Sequence, residues 1–161
     1  MKILHVYKTY LPDSIGGVEK VIEQLVLDSV QYNIESEVLS LSSNVKGCVT
    51  KEINGYKVHR CETNFTISST PFSLLAFSRF KSLAASFDII HYHFPYPFLD
   101  LLHFYGKVDK PSLVTYHSDI VKQKKLVKLY QPLMNKFLRS VDCIVATSPN
   151  YFKSSIVLQS Y

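Results

Sequence analysis

Four short, nearly continuous apolar runs, each followed by a helical pattern, leave few folds open to this chain of 161 residues. They are Lys2-Ile-Leu-His-Val-Tyr7, Phe87-Asp-Ile-Ile-His-Tyr-His-Phe94, Pro111-Ser-Leu-Val-Thr-Tyr-His117 and Asp142-Cys-Ile-Val-Ala-Thr147. Strands with so little polar alternation are buried on both faces, as in a parallel sheet with helices packed on each side. After the first run, Val18, Val21, Ile22, Leu25 and Ser29 recur at helical spacing and predict one buried helix face. Further helices are expected from Pro71 through Leu74, Leu75, Ser78 and Ala85, and from Phe98 to Tyr105 with a stop at Gly106. Another follows Leu126, Leu129, Tyr130, Leu133 and Phe137, where Pro132 should kink or restart it, and a last one opens at Pro149. Glu35–Leu41 alternates as a second strand and Tyr56–Cys61 as an edge strand. The stretch with Asn44, Gly47 and Asn54-Gly55, and residues 64–70, read as loops. The fold class is α/β, doubly wound, with a mostly parallel sheet and helices on both faces.

A hydrophobic fraction of 47% against 19% charged supports one domain with a substantial core. Cys48, Cys61 and Cys143 make an odd count without CxxC spacing. Neither a disulfide framework nor a structural zinc site is expected, and a reducing cytoplasm is the simplest compartment. The first residues lack the cleavage site of a signal peptide, and no uncharged apolar run approaches the ~18 residues of a membrane span. The chain is therefore expected to be soluble, or peripheral at a membrane. A net charge of +5 and a pI near 9.0 suit nucleic acid, an anionic membrane surface or a phosphorylated substrate.

In a doubly wound sheet, ligands bind outside the carboxyl ends of the strands. That rule gathers residues 10–17, 93–97, 117–119 and 148–150 on one rim. Gly16 and Gly17 sit where the first strand turns into a helix; glycine permits positive φ and close approach, and the unpaired helical N–H groups suit a phosphate. A tight turn alone would also use them. The lack of GxGxxG disfavours a nicotinamide dinucleotide, and the lack of GxSxG leaves a Ser-His-Asp hydrolase unsupported. His91 and His93 share a strand face, with His103 not far along. With no partnering cysteine or acidic cluster, satisfied histidines are expected rather than a metal site. Lys122, Lys124, Lys125, Lys128, Lys136 and Arg139 crowd one helical region. They read as a solvated helix face, or as a contact for anionic lipid headgroups or a diphosphate-linked acceptor. Without a helix-turn-helix, RNP or KH signature, nucleic acid is disfavoured.

The rim segments together resemble the N-terminal domain of retaining glycosyltransferases of family 4, which have the GT-B fold. The matching pieces are Pro12 with Gly16-Gly17-Val18-Glu19, Asp88-Ile-Ile-His-Tyr-His93 with Pro95, Thr115-Tyr-His-Ser-Asp119 and Thr147-Ser-Pro149, in order across almost the whole chain. The resemblance implies a single Rossmann-like domain over residues 1–161. It implies transfer of a sugar from a nucleotide-sugar donor to a saccharide or lipid-linked acceptor with retention, with no cofactor and no essential metal. By position, Gly16 and Gly17 then lie by the donor diphosphate, and His117 lies beside the donor sugar, where it hydrogen-bonds the sugar and need not be a general base. His93, Tyr96 and Asp119, with the loops from residues 44 and 64, become acceptor candidates.

The family's second domain carries the nucleotide pocket, a basic pair and a Glu-x7-Glu motif. None of these occurs before the chain stops at Leu158-Gln-Ser-Tyr161. The expectation is a chain inactive by itself that pairs with a C-terminal domain or a partner chain. It would lie in the cytoplasm or at the inner face of the membrane, and in isolation could dimerise through its open cleft. Two other classes stay open: a non-catalytic binding domain that pairs with another chain, and a flavodoxin-like protein binding a small nucleotide.

Overall fold

The computed structural model of the chain describes residues 1–107, 109–120 and 124–161, with side chains in the last segment from residue 127 onward. Lys122, and the side chains of Lys124, Lys125 and Leu126, lie outside the described residues. In chain order, β1 (Lys2–Val6) leads to α1 (Gly17–Ser29), β2 (Glu35–Ser42), β3 (Cys48–Ile53) and β4 (Tyr56–Glu62). A small hairpin follows, β5 (Phe65–Ile67) and β6 (Thr70–Phe72), then α2 (Leu74–Ala84), β7 (Ile89–Phe94) and α3 (Pro97–Gly106). The chain closes with β8 (Ser112–Tyr116), α4 (Lys124–Ser140), β9 (Cys143–Ala146) and α5 (Pro149–Ser154). The main sheet has the order β3-β4-β2-β1-β7-β8-β9, and only the β3–β4 pairing is antiparallel. Strand order reverses between β1 and β7, so the ligand crevice of this fold opens at their carboxyl ends.

Strand alternation sends Leu4, Val6, Ile90, Tyr92, Phe94, Val114 and Tyr116 to one face, against Phe80, Leu99, Leu102, Phe137 and Leu138 of α2, α3 and α4. Each such burial stabilises by about 1.5–3 kcal/mol, so this layer rather than helix propensity fixes the three helices. On the other face Tyr7, Val38, Tyr56 and Val58 meet Ile22 and Val26 of α1. The parallel strands and their alternation with helices agree with the sequence reading.

Several local expectations are corrected. The buried face of α1 is Glu19, Ile22 and Val26, while Val21 and Leu25 stand on an exposed flank. Residues 48–53 form the edge strand β3, which places β4 inside the sheet instead of at its edge. The cue is Asn54-Gly55: both residues have positive φ, 50° and 86°, as a two-residue hairpin turn requires. Residues 64–70 hold most of a second hairpin. Pro71 lies in β6, and α2 starts after Ser73, whose Oγ accepts the Ala76 N–H at 3.2 Å. The helix α4 runs through Pro132 without restarting, and Leu129 on its stripe is 81% exposed.

The hairpin also overturns the cysteine expectation. Its register sets Cys48 opposite Cys61, and the two form a disulfide. A bond closing 13 residues of separation stabilises by about 3 kcal/mol through loss of unfolded-chain entropy. Reduction of the oxidised chain should lower its unfolding free energy by about 2–3 kcal/mol in urea titrations. A Cys48→Ser variant should be insensitive to the reductant.

Candidate functional site

The loop after β1 is tied down from three sides. Tyr10 Oη lies 2.9 Å from Tyr56 Oη of β4. Asp13 accepts from Arg60 of β4 at 3.2 and 3.3 Å and from Asn44 Nδ2 at 3.0 Å. Burial alone would raise the Asp13 carboxyl; hydrogen bonds from Ser42 and Asn44 and the Arg60 guanidinium outweigh it and hold the group below its ordinary value. Finally, Glu19 Oε1 accepts from Thr9 Oγ1 at 3.0 Å and Ser14 Oγ at 2.7 Å, fastening the loop to the first turn of α1.

Gly16 is the N-cap of α1 and Gly17 its first residue, with no side-chain cap on the helix N–H groups. The reason for glycine differs from the expectation. Gly16 has φ −124°, so no positive φ is used; a Cβ there would stand 2.5 Å from Glu19 Oε2. Gly17 is exposed and has open space around it. An incoming anion therefore meets a carboxylate at Gly16 and a clear approach at Gly17. Gly16→Ala should cost about 1–2 kcal/mol by displacing the Glu19 carboxylate from its two hydroxyl donors. Gly17→Ala should be neutral or slightly stabilising, since alanine is the better helix former. Chemical denaturation of the two variants beside wild type measures both effects.

Across the crevice the switch-point strands carry a column of histidines. The β1–β7 register pairs His5 with His91, and β7–β8 pairs His93 with Thr115. His5 Nδ1 lies 3.1 Å from His93 Nε2, and His93 Nδ1 lies 3.0 Å from His117 Nε2. His91 Nε2 lies 2.7 Å from Thr115 Oγ1. The rings stack, with centroids 4.3 Å apart for His91–His93 and 5.3 Å for His93–His117. Burial pushes His5 down to about 4 and lowers His91, His93 and His117 from the ordinary imidazole value, so all four are neutral at pH 7. His5, His91 and His93 each present a ring nitrogen within 4.8 Å of the others, a set among the described residues that could hold a metal ion. As arranged, His5 and His93 share a hydrogen bond that a metal would have to replace. His103 belongs elsewhere: it bonds Tyr92 Oη and Ser140 Oγ, Tyr92 being a core residue of the opposite face.

His117 is half-buried at the end of β8, with its backbone N–H donating to the Phe94 carbonyl at 2.9 Å. It is thus held at backbone and ring, on the rim, as expected. Asp119 Oδ1 accepts from Tyr116 Oη at 2.8 Å and Ser155 Oγ at 2.9 Å, fixing the following segment against α5. The structure sets His93 and Tyr96 behind the rim instead of on it. His93 is fully buried, and Tyr96 is buried with Oη donating to the Pro71 carbonyl at 2.9 Å. The sequence reading missed His5, which is 86 positions upstream of His91 inside an apolar run; the signal was its odd-numbered place on the strand, shared with Tyr7.

The family profile described as Glycosyltransferase Family 4 matches residues 15–153. The chain belongs to glycosyltransferase family 4. Two curated relatives of this family-4 chain are the D-rhamnosyltransferase WbpZ of Pseudomonas aeruginosa and the O-antigen chain mannosyltransferase C of Escherichia coli. Each is 52% identical over the whole of this chain, which covers 42% and 43% of their respective lengths. The chain thus spans less than half the length of either relative. Among solved structures, it resembles sucrose-phosphate synthase from Thermosynechococcus elongatus, with a TM-score of 0.59 and 14% identity over 94% of this chain and 44% of that one. It also resembles the E. coli trehalose-6-phosphate protein solved with UDP-2-fluoro glucose, with a TM-score of 0.56 and 8% identity over 99% and 43%. These likenesses show the fold, which is GT-B-like. Among the described residues, no helix is long and apolar enough to cross a membrane.

Proposed function

We propose that this family-4 chain is the N-terminal, acceptor-side half of a transferase that moves a sugar from a nucleotide-sugar donor to a saccharide or lipid-linked acceptor with retention. The observation that carries this reading is the 52% identity over the entire chain to a rhamnosyltransferase and a mannosyltransferase. The rim geometry agrees with it. His117, neutral and fixed at the crevice mouth, is suited to hydrogen-bond a donor sugar and not to carry charge. The uncapped start of α1 at Gly16 and Gly17 suits the donor diphosphate, which approaches on the Gly17 side, away from Glu19. Acceptor contacts are assigned to Asp119 and to the loops beginning at residues 44 and 64.

In this reading the donor's own phosphate assists removal of the acceptor proton, with no essential metal, and a second domain supplies most donor contacts. The chain alone would then be inactive. A lipid-linked acceptor finds support in an apolar groove of about 260 Å³ lined by Ile67, Phe72, Pro97, Ile120, Leu129 and Tyr130. Exposed Lys128 lies next to Leu129 in sequence, and Lys136 and Arg139 are exposed further along α4. Such a surface suits a protein held peripherally at a membrane.

The test is transfer by the chain joined to its second domain, against a panel of nucleotide sugars with chelator present, with the product linkage read by NMR. A product whose anomeric configuration matches the donor's supports the reading. An inverted linkage removes retention, and loss of turnover with the chelator removes the metal-free mechanism.

A further inference from the structure

The histidine column contains more order than a set of buried rings requires. We propose that His5 and His93 are positioning residues that set the tautomer of His117 through a directional chain of hydrogen-bonded imidazoles. The inference rests on the reading of His117 as the group that faces the donor sugar.

A neutral imidazole has one N–H and one lone pair, so each ring in a chain can donate on one side only. Two contacts join three rings: His5 Nδ1 to His93 Nε2 at 3.1 Å, and His93 Nδ1 to His117 Nε2 at 3.0 Å. Each contact holds a single proton. If His5 donates to His93, then His93 carries its proton on Nδ1 and donates to His117 Nε2, and His117 carries its own proton on Nδ1. If His117 donates instead, His93 donates to His5, and His117 Nδ1 becomes a lone pair. Any mixed arrangement sets two N–H groups or two lone pairs against each other in a site where His5 and His93 are buried. The chain therefore changes sense as a unit. Nδ1 of His117, the nitrogen outside the chain, is a donor in one sense and an acceptor in the other. A sugar hydroxyl is oriented differently by each.

His91 provides an internal control. Its ring lies 4.7 Å from that of His5 and 4.3 Å from that of His93, so it packs on both. Its Nε2 bonds Thr115 Oγ1, and among the described residues it shares no hydrogen bond with the other rings. Packing alone makes His5 and His91 equivalent to His117; a directional chain does not.

The experiment uses the chain of 161 residues labelled with 15N in its imidazole rings, studied by NMR near neutral pH. In wild type, His117 should occupy one predominant neutral tautomer, with 15N–15N coupling through the hydrogen bonds on both sides of His93. His5→Leu should change the Nδ1–H to Nε2–H ratio of His117 several-fold, and His91→Phe should leave it unchanged. An unmoved ratio in His5→Leu, or an equal change in His91→Phe, overturns the proposal. Should His5→Leu fail to fold, the wild-type couplings decide: their absence at either contact overturns it. No sugar or turnover enters these readouts. An ordered chain in a protein without transferase activity would defeat the functional reading alone, and disordered tautomers in an active enzyme would defeat this inference alone.

Discussion

His117→Ala in a protein carrying both domains should slow sugar transfer about 10²–10³-fold, the usual effect of removing one preorganised hydrogen-bond donor or acceptor from a transition state. The effect should fall on kcat more than on donor KM, because most donor contacts are assigned to the second domain. The fold should survive. His117 is only half-buried, and its removal leaves His93 Nδ1 without a partner, a cost of about 1–3 kcal/mol. His117→Gln, which keeps a polar group near the same place, should recover part of the lost rate. Kinetics beside circular dichroism separate the outcomes. Unchanged activity in a folded His117→Ala protein would keep the family and take His117 out of the site.

The second large effect concerns stability. Asp100 of α3 is completely buried beneath α4, where Tyr130 Oη donates to its Oδ2 at 2.6 Å while Oδ1 has no partner. Burial pushes its carboxyl up to about 8, against the Tyr130 hydrogen bond, which lowers it. Because the folded value lies above the unfolded one, the stabilisation is fully present below the ordinary carboxyl range near 4 and is lost as pH rises through 8. Each unit of that interval corresponds to about 1.4 kcal/mol. Asp100→Asn removes the titration but keeps the shape and an acceptor for Tyr130. The variant should match wild type near pH 4 and exceed it by about 5 kcal/mol near pH 8. Denaturation at a series of pH values tests this, and parallel curves for the two proteins would show that Asp100 ionises without strain.

The frame of the site was legible because it depends on order along the chain. Apolar strands alternating with helices imply a parallel sheet, and a parallel sheet fixes which loops share a rim. His117 and Gly17 lie on that rim for this reason. What stayed hidden depends on register. His5 looks like one polar residue in an apolar strand until β1 pairs with β7 and brings it opposite His91. His93 near the end of β7 and Tyr96 just beyond it lie close enough to the rim to suggest contact with ligand, yet both are buried. The Cys48–Cys61 pairing was available in principle. A two-residue turn at Asn54-Gly55 pairs Ile53 with Tyr56 and, counted outward, Cys48 with Cys61. Reading residues 48–53 as loop concealed it, because their polar pattern, Cys-Val-Thr-Lys-Glu-Ile, buries little.

The most direct measurement compares the chain alone with the same chain joined to its second domain, using one set of nucleotide-activated sugars and glycan acceptors. The account predicts product only when both halves are present, with one donor preferred. Transfer by the chain alone would contradict the division of labour between the halves. No transfer by the joined protein with any donor would contradict the transferase reading itself and leave a binding domain that retains the fold.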